Sequence, residues 1–336
     1  MVQYDLPLAE LESYNPDLPE PSDLSDFWAT TLATAREHPL DVRWEPVDAG
    51  LVCVDTWSVT FPGFDGQPVR GWLHLPVRRT FAGVDGRLPA VVQYHGYGGG
   101  RGRPHESILY AAAGYAHLVM DTRGQGGRWS VGDTPDPVGA GPSHPGFLTR
   151  GILDPQQYYY RRLFTDAVRA VEAIRTHADV DPSRVVVAGG SQGGAMSLAV
   201  SALLPDVSGA LVDVPFLSNV VRAIEITDTD PYVELAYFLA VHRDRLEQAF
   251  ATLSYFDVAV LARRATAPAL FSVGLSDVTC PPSTVYAAYN AYAGPKRMCV
   301  YPYNGHEGGQ ADHVQQQLEW LRRLIGAETG DRPTWT

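Results

Sequence analysis

The sequence predicts an α/β fold in which a doubly wound, mostly parallel sheet carries helices on both faces. From Ala90 onward, short apolar runs alternate with amphipathic segments of helical period. Strands this apolar need cover on both faces, which is typical of parallel sheets packed between helices. The predicted strands are Ala90–His95, Ala116–Asp121, Arg184–Gly189, Ala210–Val214, Ala269–Gly274 and Met298–Pro302. A predicted helix over 159–177 lies among them, and its apolar face consists of Leu163, Ala167, Val171 and Ile174.

The residues before this region predict a helical lead-in followed by two half-buried strands. Ser22 and Asp23 are candidate caps of a helix over 24–37. Alternating apolar residues then predict two strands, Trp57–Phe61 and Val69–Leu75, with a turn at Phe64–Gly66 between them. No linker, charge block or low-complexity tract divides the 336 residues. We therefore expect one domain over 1–336 with an N-terminal extension over 1–55.

The charge and cysteine content argue against several classes of protein. Lys and Arg number 26 against 38 Asp and Glu, giving a net charge of −12, so nucleic acid is not an expected partner. No stretch approaches the roughly 18 continuous apolar residues of a membrane span, and the first residues lack the pattern of a secretory signal. Cys53, Cys280 and Cys299 show no metal-binding or disulfide-framework spacing. We therefore expect a cytoplasmic protein with reduced thiols and no membrane partner.

The segment 184–200 carries the most specific chemical signal. Its residues 189–193 spell G-G-S-Q-G, which matches the G-x-S-x-G nucleophile elbow of α/β-hydrolases and lies between an apolar strand and a helix. The glycines permit a strained turn in which a Cβ would clash with neighbouring backbone. Ser191 is then exposed at the start of a helix, where N–H groups favour developing negative charge. The alternative interpretation is a tight glycine turn whose serine caps the helix.

A nucleophilic serine needs a general base and an acid that orients the base. In α/β-hydrolases the acid and then the histidine follow the serine along the chain. Asp277 and His306 each follow a predicted strand, which places both at the carboxyl edge of the sheet. Asp213, at the end of an earlier strand, is an alternative acid. His95 also follows a strand, but it precedes a glycine run that is expected to form another part of the site.

Hydrolysis of an acyl group also requires two N–H donors for the oxyanion. One donor is expected from Gln192, the residue after the nucleophile, and the other from Tyr97 in the Gly-rich loop His95–Gly102. This loop lacks the G-K-[ST] ending of a phosphate-binding loop. No cluster of His, Cys, Asp and Glu has metal-ligand spacing. We therefore expect neither a nucleotide, nor another cofactor, nor a metal.

Three motifs in this sequence resemble those of carbohydrate esterase family seven, the acetyl xylan esterase and cephalosporin C deacetylase family. They are RGQ within Asp121–Gly126, G-x-S-Q-G around Ser191, and HE within His306–Gly309. Their occurrence together and in this order is far more specific than any one motif alone. The similarity extends from Tyr4 to Ile325.

The resemblance implies the α/β-hydrolase fold and the same triad as the residue-by-residue interpretation, Ser191, Asp277 and His306. It also implies that the backbone amides of Tyr97 and Gln192 form the oxyanion hole. The expected function is a serine esterase that removes acetyl groups from acetylated xylo-oligosaccharides, other acetyl sugars or cephalosporin C-type acetates. The alternatives are a broader carboxylesterase or peptidase on the same triad, and a non-catalytic binding scaffold.

Other residues receive their roles from the resemblance alone. Pro231 is implied to shape the acyl pocket and to contact the substrate together with Tyr97. Arg123 and Gln125 of the RGQ motif, and Glu307 of the HE motif, are implied to be structural rather than catalytic.

The resemblance also implies a ring-shaped hexamer whose active sites face an internal cavity that admits small substrates. An insertion over about 128–156 is expected to lie at the oligomer interface. Within it, Thr134–Pro145 is short relative to the family, and Gly127-Arg128 replaces a more usual pair of small residues. These departures affect the predicted interface and the access to the pocket rather than the chemistry.

Overall fold

The computed structural model describes residues 3–139 and 141–326. The strands in these residues are β1 Arg43–Val47, β2 Val54–Pro62, β3 Pro68–Pro76, β4 Leu88–Tyr94, β5 Ala116–Met120, β6 Val180–Gly190, β7 Gly209–Asp213, β8 Ala269–Gly274 and β9 Lys296–Tyr301. They form one sheet in the order β1-β2-β3-β5-β4-β6-β7-β8-β9. The pairs β1–β2, β2–β3 and β3–β5 are antiparallel, whereas every pair from β5 to β9 in this order is parallel.

Helices cover both faces of this sheet. In the described residues they are α1 Leu8–Leu11, α2 Leu24–Arg36, α3 Leu109–Ala112, α4 Tyr159–Ile174, α5 Gln192–Leu203, α6 Val220–Ile226, α7 Tyr232–Val241, α8 Leu246–Ser254, α9 Val258–Leu261, α10 Pro282–Ala291 and α11 Gln310–Leu321. Short 3₁₀ turns occur at Phe64–Gly66, Arg243–Arg245 and Ala262–Arg264, and a π turn at Arg322–Gly326.

The side chains of β6 show how the sheet separates two cores. Val185 and Val187 belong to the larger core, together with α4, α5 and α10. Val186 and Ala188 point to the other face and pack in a smaller core with α3 and α11. This two-sided burial explains why the central strands are continuously apolar. The predicted doubly wound, mostly parallel α/β fold is confirmed.

The sequence-based strands all lie within or overlap observed strands, but one strand was not predicted. β1 pairs antiparallel with β2 at the edge of the sheet, in a region that we expected to be only a helical lead-in. Arg43, Glu45 and Pro46 of this strand are exposed, so it lacks the apolar alternation by which strands are recognised. Proline is tolerated there because an edge strand leaves one side of its backbone unpaired.

Helix α4 departs from its prediction in a different way. Its predicted apolar face, Leu163, Ala167, Val171 and Ile174, is fully buried, but so are charged residues on the same helix. The amphipathic pattern indicated a solvent-facing side, whereas the structure covers the helix almost all round. Since an unpaired buried charge is costly, these charges require partners inside the protein.

The partners come from the loop that carries the RGQ motif. The Arg123 guanidinium donates to both oxygens of Asp166 at 2.5 and 2.8 Å, and both side chains are fully buried. Arg123 and Arg162 also share the buried carboxylate of Asp136, at 3.2 and 2.8 Å. Asp166 further accepts a hydrogen bond from the amide of Phe64 at 2.8 Å. The network therefore fixes the loop after β5 and the β2–β3 turn to α4.

We predict that Asp166→Ala lowers the free energy of unfolding by about 3–5 kcal/mol, because it leaves the Arg123 guanidinium buried without its main partner. Urea unfolding followed by circular dichroism measures the change. Asp179→Ala is the matched control, since Asp179 pairs with Arg79 at 2.9 Å on the surface, with about 40% of each side chain exposed. That control is expected to cost at most about 1 kcal/mol, and equal losses in the two variants would contradict the structural role of the network.

Candidate active site

Ser191 occupies a strained position between β6 and α5. Its φ of 56° lies in the left-handed region, which residues other than glycine rarely adopt. Its amide donates to the carbonyl of Asp213 at 2.9 Å, and its carbonyl accepts from the amide of Phe216 at 3.0 Å. These hydrogen bonds hold the turn in a conformation that it would otherwise leave. The side chain is thereby presented above the carboxyl edge of the sheet, at the N-terminus of α5.

The neighbouring glycines allow α5 to approach the sheet closely. A Cβ on Gly193 would lie 2.3 Å from the carbonyl oxygen of Tyr94, at the end of β4. A Cβ on Gly189 would lie 2.5 Å from the carbonyl carbon of Gly193. Both separations are far inside van der Waals contact, so the elbow sequence follows from backbone packing as well as from the strained turn.

His306 and Asp277 come together from the loops after β9 and β8. The ring Nδ1 of His306 lies 2.8 Å from Oδ2 of Asp277, whose side chain is fully buried. The other carboxylate oxygen accepts the amides of Thr279 and Cys280 at 2.8 and 2.9 Å. Because an ionised carboxylate can only accept, Nδ1 carries the proton and Nε2 is left as the basic nitrogen.

The surroundings of His306 favour its protonated form. Burial disfavours the charged ring, but the hydrogen bond to Asp277 raises the pKa of His306 above its ordinary value. Burial also raises the pKa of the Cys280 thiol, so this thiol is neutral at neutral pH and the hydrogen bond to Asp277 carries the effect. The site is therefore arranged to stabilise the imidazolium that forms when His306 accepts a proton.

Ser191 and His306 line one cavity of about 530 Å³. Of the other residues expected in the site, Tyr97 and Pro231 also line this cavity. Asp277 lies behind His306, and the side chain of Gln192 is buried at the start of α5. The further lining residues are Gln93, Tyr94, His95, Gly96, Arg128, Trp129, Gly190, Asp213, Val214, Asp230, Thr279 and Glu307.

The RGQ glutamine connects the two segments expected to form the oxyanion hole. Oε1 of Gln125 accepts the amide of Gly98, next to Tyr97, at 2.6 Å. Nε2 of Gln125 donates to the side-chain oxygen of Gln192 at 2.9 Å and to the hydroxyl of Tyr159 at 2.9 Å. Gln125 thus sets the distance between the Gly-rich loop and the start of α5, although it does not line the cavity.

Glu234 was missed by the sequence analysis, and it anchors the side chain of Tyr97. The Tyr97 hydroxyl donates to the Glu234 carboxylate, whose oxygens lie at 2.6 and 2.8 Å, and it accepts the amide of Phe147 at 2.5 Å. Burial raises the pKa of Glu234. At the other end, the indole N–H of Trp129 donates to the Tyr97 carbonyl at 2.8 Å. No motif in the sequence marks Glu234, because its partner lies 137 positions away.

The alternative acid, Asp213, is engaged elsewhere. Its two oxygens lie 2.7 Å from Nε2 of His313 and 2.6 Å from Nε2 of Gln317, both on α11. Burial opposes protonation of His313, but the hydrogen bond to Asp213 raises its pKa to about 9. The i, i+4 spacing of His313 and Gln317 is the signal that could have revealed this pair.

The alternative base, His95, lies in a different environment. It lines the cavity, but burial lowers its pKa to about 4, and no described carboxylate forms a hydrogen bond with its ring. His95 is therefore neutral, without an acid to orient it, whereas His306 has Asp277.

Within residues 3–139 and 141–326, no group of three or more His, Cys, Asp and Glu side chains could hold a metal ion. None of the helices described is both long and apolar enough to cross a membrane. Cys53, Cys280 and Cys299 are all free thiols.

Comparisons with known proteins agree on one family. The family model for acetyl xylan esterase (AXE1) matches residues 1–324. An acetyl xylan esterase from Paenibacillus sp. R4 is 38% identical and superimposes with a TM-score of 0.89 over 95% of this chain and 100% of that chain. Acetyl xylan esterase 1 from Thermoanaerobacterium sp. is 31% identical, with a TM-score of 0.85 over 95% of this chain and 99% of that chain.

Two more distant proteins extend the comparison. Acetyl esterase Axe7A from Xylanibacter ruminicola is 29% identical over 94% of this chain and 70% of its own length. Acylaminoacyl peptidase from Pyrococcus horikoshii is 16% identical, with a TM-score of 0.61 over 84% of this chain and 44% of that chain. The second likeness is one of fold alone.

We predict that Asp277→Asn lowers kcat for 4-nitrophenyl acetate by roughly 10⁴-fold, since the base loses the group that fixes its tautomer. In the wild type, kcat/KM should rise with pH as His306 loses its proton. Without the carboxylate that raises the pKa of His306, this rise should move to lower pH in the variant. Steady-state kinetics across a pH series measures both effects.

Asp213→Asn is the control for this prediction, because its carboxylate contacts α11 rather than His306. It should keep kcat within about tenfold of the wild type and leave the acid limb of the pH profile in place. A larger loss in Asp213→Asn than in Asp277→Asn would contradict the assignment of the acid.

Proposed function

The chain belongs to the acetyl xylan esterase family and hydrolyses acetyl esters, and we propose that it does so with Ser191 as nucleophile, His306 as general base and Asp277 as the orienting acid. The observation that carries this proposal is the 2.8 Å contact between His306 and a fully buried Asp277, beside a serine on a strained turn in the same cavity. These are the positions and roles that a serine hydrolase triad requires.

The reaction proceeds through an acetyl-serine intermediate. Oγ of Ser191 attacks the acetyl carbonyl carbon while Nε2 of His306 accepts the hydroxyl proton. Asp277 stabilises the resulting imidazolium. His306 then donates this proton to the departing alcohol oxygen, and the C–O bond of the ester breaks. In the second half, His306 takes a proton from water, the hydroxide attacks the acetyl-serine, and acetate leaves as Ser191 regains its proton.

In this mechanism, the backbone amides of Tyr97 and Gln192 donate hydrogen bonds to the oxyanion of each tetrahedral intermediate. The contacts of Gln125 with Gly98 and Gln192 support this assignment, because they hold the two segments together. Preorganised amides stabilise the developing charge without reorganisation at the moment of reaction. Tyr97 and Pro231 line the cavity, and we propose that they contact the acyl group.

Family membership gives the substrate class, which is acetyl esters. Which acetyl esters this enzyme hydrolyses is our proposal. A cavity of about 530 Å³ accommodates an acetylated xylo-oligosaccharide end, another acetyl sugar or a cephalosporin C-type acetate. A peptidase or broad carboxylesterase on the same triad is the alternative. The likeness to acylaminoacyl peptidase, at 16% identity, supports a shared fold rather than a shared substrate.

We also propose a homo-oligomer, of the hexameric kind implied by the sequence motifs, and a cytoplasmic location. Trp129 and Val131, within the expected interface segment 128–156, expose 58% and 45% of their surface in the single chain. Exposed apolar side chains at such a segment support burial by another copy. The three free thiols support a reducing compartment.

We predict that Ser191→Ala lowers kcat for 4-nitrophenyl acetate by about 10⁴–10⁶-fold, as expected when a triad loses its nucleophile. Ser254→Ala on α8 is the control, because Ser254 is outside the cavity and its hydroxyl donates to the nearby carbonyl of Ala251. Steady-state release of 4-nitrophenolate measures both variants. Equal activity of Ser191→Ala and the wild type would overturn the proposed nucleophile.

A further inference from the structure

The rim of the active-site cavity is closed at one point by an ion pair between two separate segments. Nη2 of Arg128, in the loop after β5, lies 3.0 Å from Oδ2 of Asp230, in the loop before α7. Both residues line the cavity that contains Ser191. The pair therefore joins these two segments at the rim, in addition to the buried hydrogen bond from the Leu148 amide to Glu234 of α7 at 3.1 Å.

Hydrogen bonds and packing contacts hold the two loops that carry Arg128 and Asp230. The amide of Arg128 donates to the carbonyl of Gly98 at 3.2 Å. The stem of Arg128 lies on Gly98, where an added Cβ would be 2.8 Å from Cβ of Arg128. On the opposite wall, Asp230 follows Thr229, whose hydroxyl donates to the carbonyl of Val278 at 2.9 Å. The guanidinium and the carboxylate are thus held within reach across the rim.

The ion pair adjoins Pro231, which directly follows Asp230 in the cavity lining and which we propose contacts the acyl group. In the proposed intermediate, the oxyanion points to the amides of Tyr97 and Gln192, and the alcohol oxygen must lie next to His306, which protonates it. The remaining substituent of the tetrahedral centre, the methyl group of the acetyl, then points toward the wall built by Trp129, Pro231 and the ion pair. Trp129 is fixed there, since its indole N–H donates to the Tyr97 carbonyl and its ring lies flat on Gly99.

We propose that the Arg128–Asp230 ion pair is a latch that limits the length of the acyl group. This inference rests on the proposed function and deepens it, since it names the residues that select a short acyl chain. A longer acyl chain must separate the two side chains in order to pass between the walls. In the single chain the pair is exposed, at 56% and 47% of the two side chains, so the selectivity it provides is modest and sensitive to salt.

The latch is tested by comparing kcat/KM for 4-nitrophenyl acetate and 4-nitrophenyl butanoate, which share one alcohol and differ in acyl length. In Arg128→Gln and in Asp230→Asn, the ratio of kcat/KM for the acetate ester to kcat/KM for the butanoate ester should fall by about three- to fivefold. This is the range that an exposed ion pair can supply. Raising the salt concentration to about 1 M should lower the preference in the wild type and leave both variants unchanged.

Two further variants separate the ion pair from local packing. The exchange Arg128→Asp with Asp230→Arg should restore most of the preference, because it rebuilds the pair with reversed charges. Arg79→Ala, which breaks an exposed Arg–Asp pair outside the cavity, should leave the preference unchanged. The latch is overturned if both single variants keep the wild-type preference for the acetate ester, or if the charge exchange does not restore it. In either case 4-nitrophenyl acetate is still hydrolysed. Failure of the wild type to hydrolyse either ester overturns the proposed function as well.

Discussion

The close approach of α5 to the end of β4 governs the geometry of the site. Gly193 lies so near the Tyr94 carbonyl that a Cβ would be 2.3 Å from its oxygen, and this contact fixes where the helix begins. Ser191 must then turn sharply out of β6, with a φ of 56°. Such a backbone costs on the order of 1–3 kcal/mol, which the buried contacts of α5 offset. The strain is local, and its consequence is a hydroxyl exposed above an otherwise buried sheet.

The RGQ motif supports this geometry through the contacts of Arg123 and Gln125. Arg123 ties its loop to α4 through the buried carboxylates of Asp166 and Asp136. Gln125, two residues later, joins the Gly-rich loop to the side chain of Gln192. Arg123 thus stabilises the fold, and Gln125 positions the expected oxyanion donors. The motif is therefore part of the support of the active site, even though neither side chain lines the cavity.

The sequence predicts those parts of this protein whose cause is local. Central strands are recognisable because burial on both faces makes them apolar, and Ser191, Asp277 and His306 are recognisable because each follows a predicted strand. β1 escapes this pattern since it lies at the edge of the sheet beside β2 and exposes three of its five residues. Glu234 and the Arg128–Asp230 pair depend on contacts between positions 137 and 102 residues apart. No local pattern encodes a contact of that kind, so these residues emerge only once the chain is folded.

The central claim is that Ser191 is activated by His306, and labelling with the organophosphate paraoxon tests it most directly. Attack by an activated serine on phosphorus releases 4-nitrophenolate and leaves a stable diethylphosphoryl group on the oxygen. Peptide mass spectrometry then locates the label. The account predicts one label per chain, on Ser191 in the wild type, and none in His306→Ala under the same conditions. Inactivation with the label on any other residue, or equal labelling of Ser191 in His306→Ala, would contradict it.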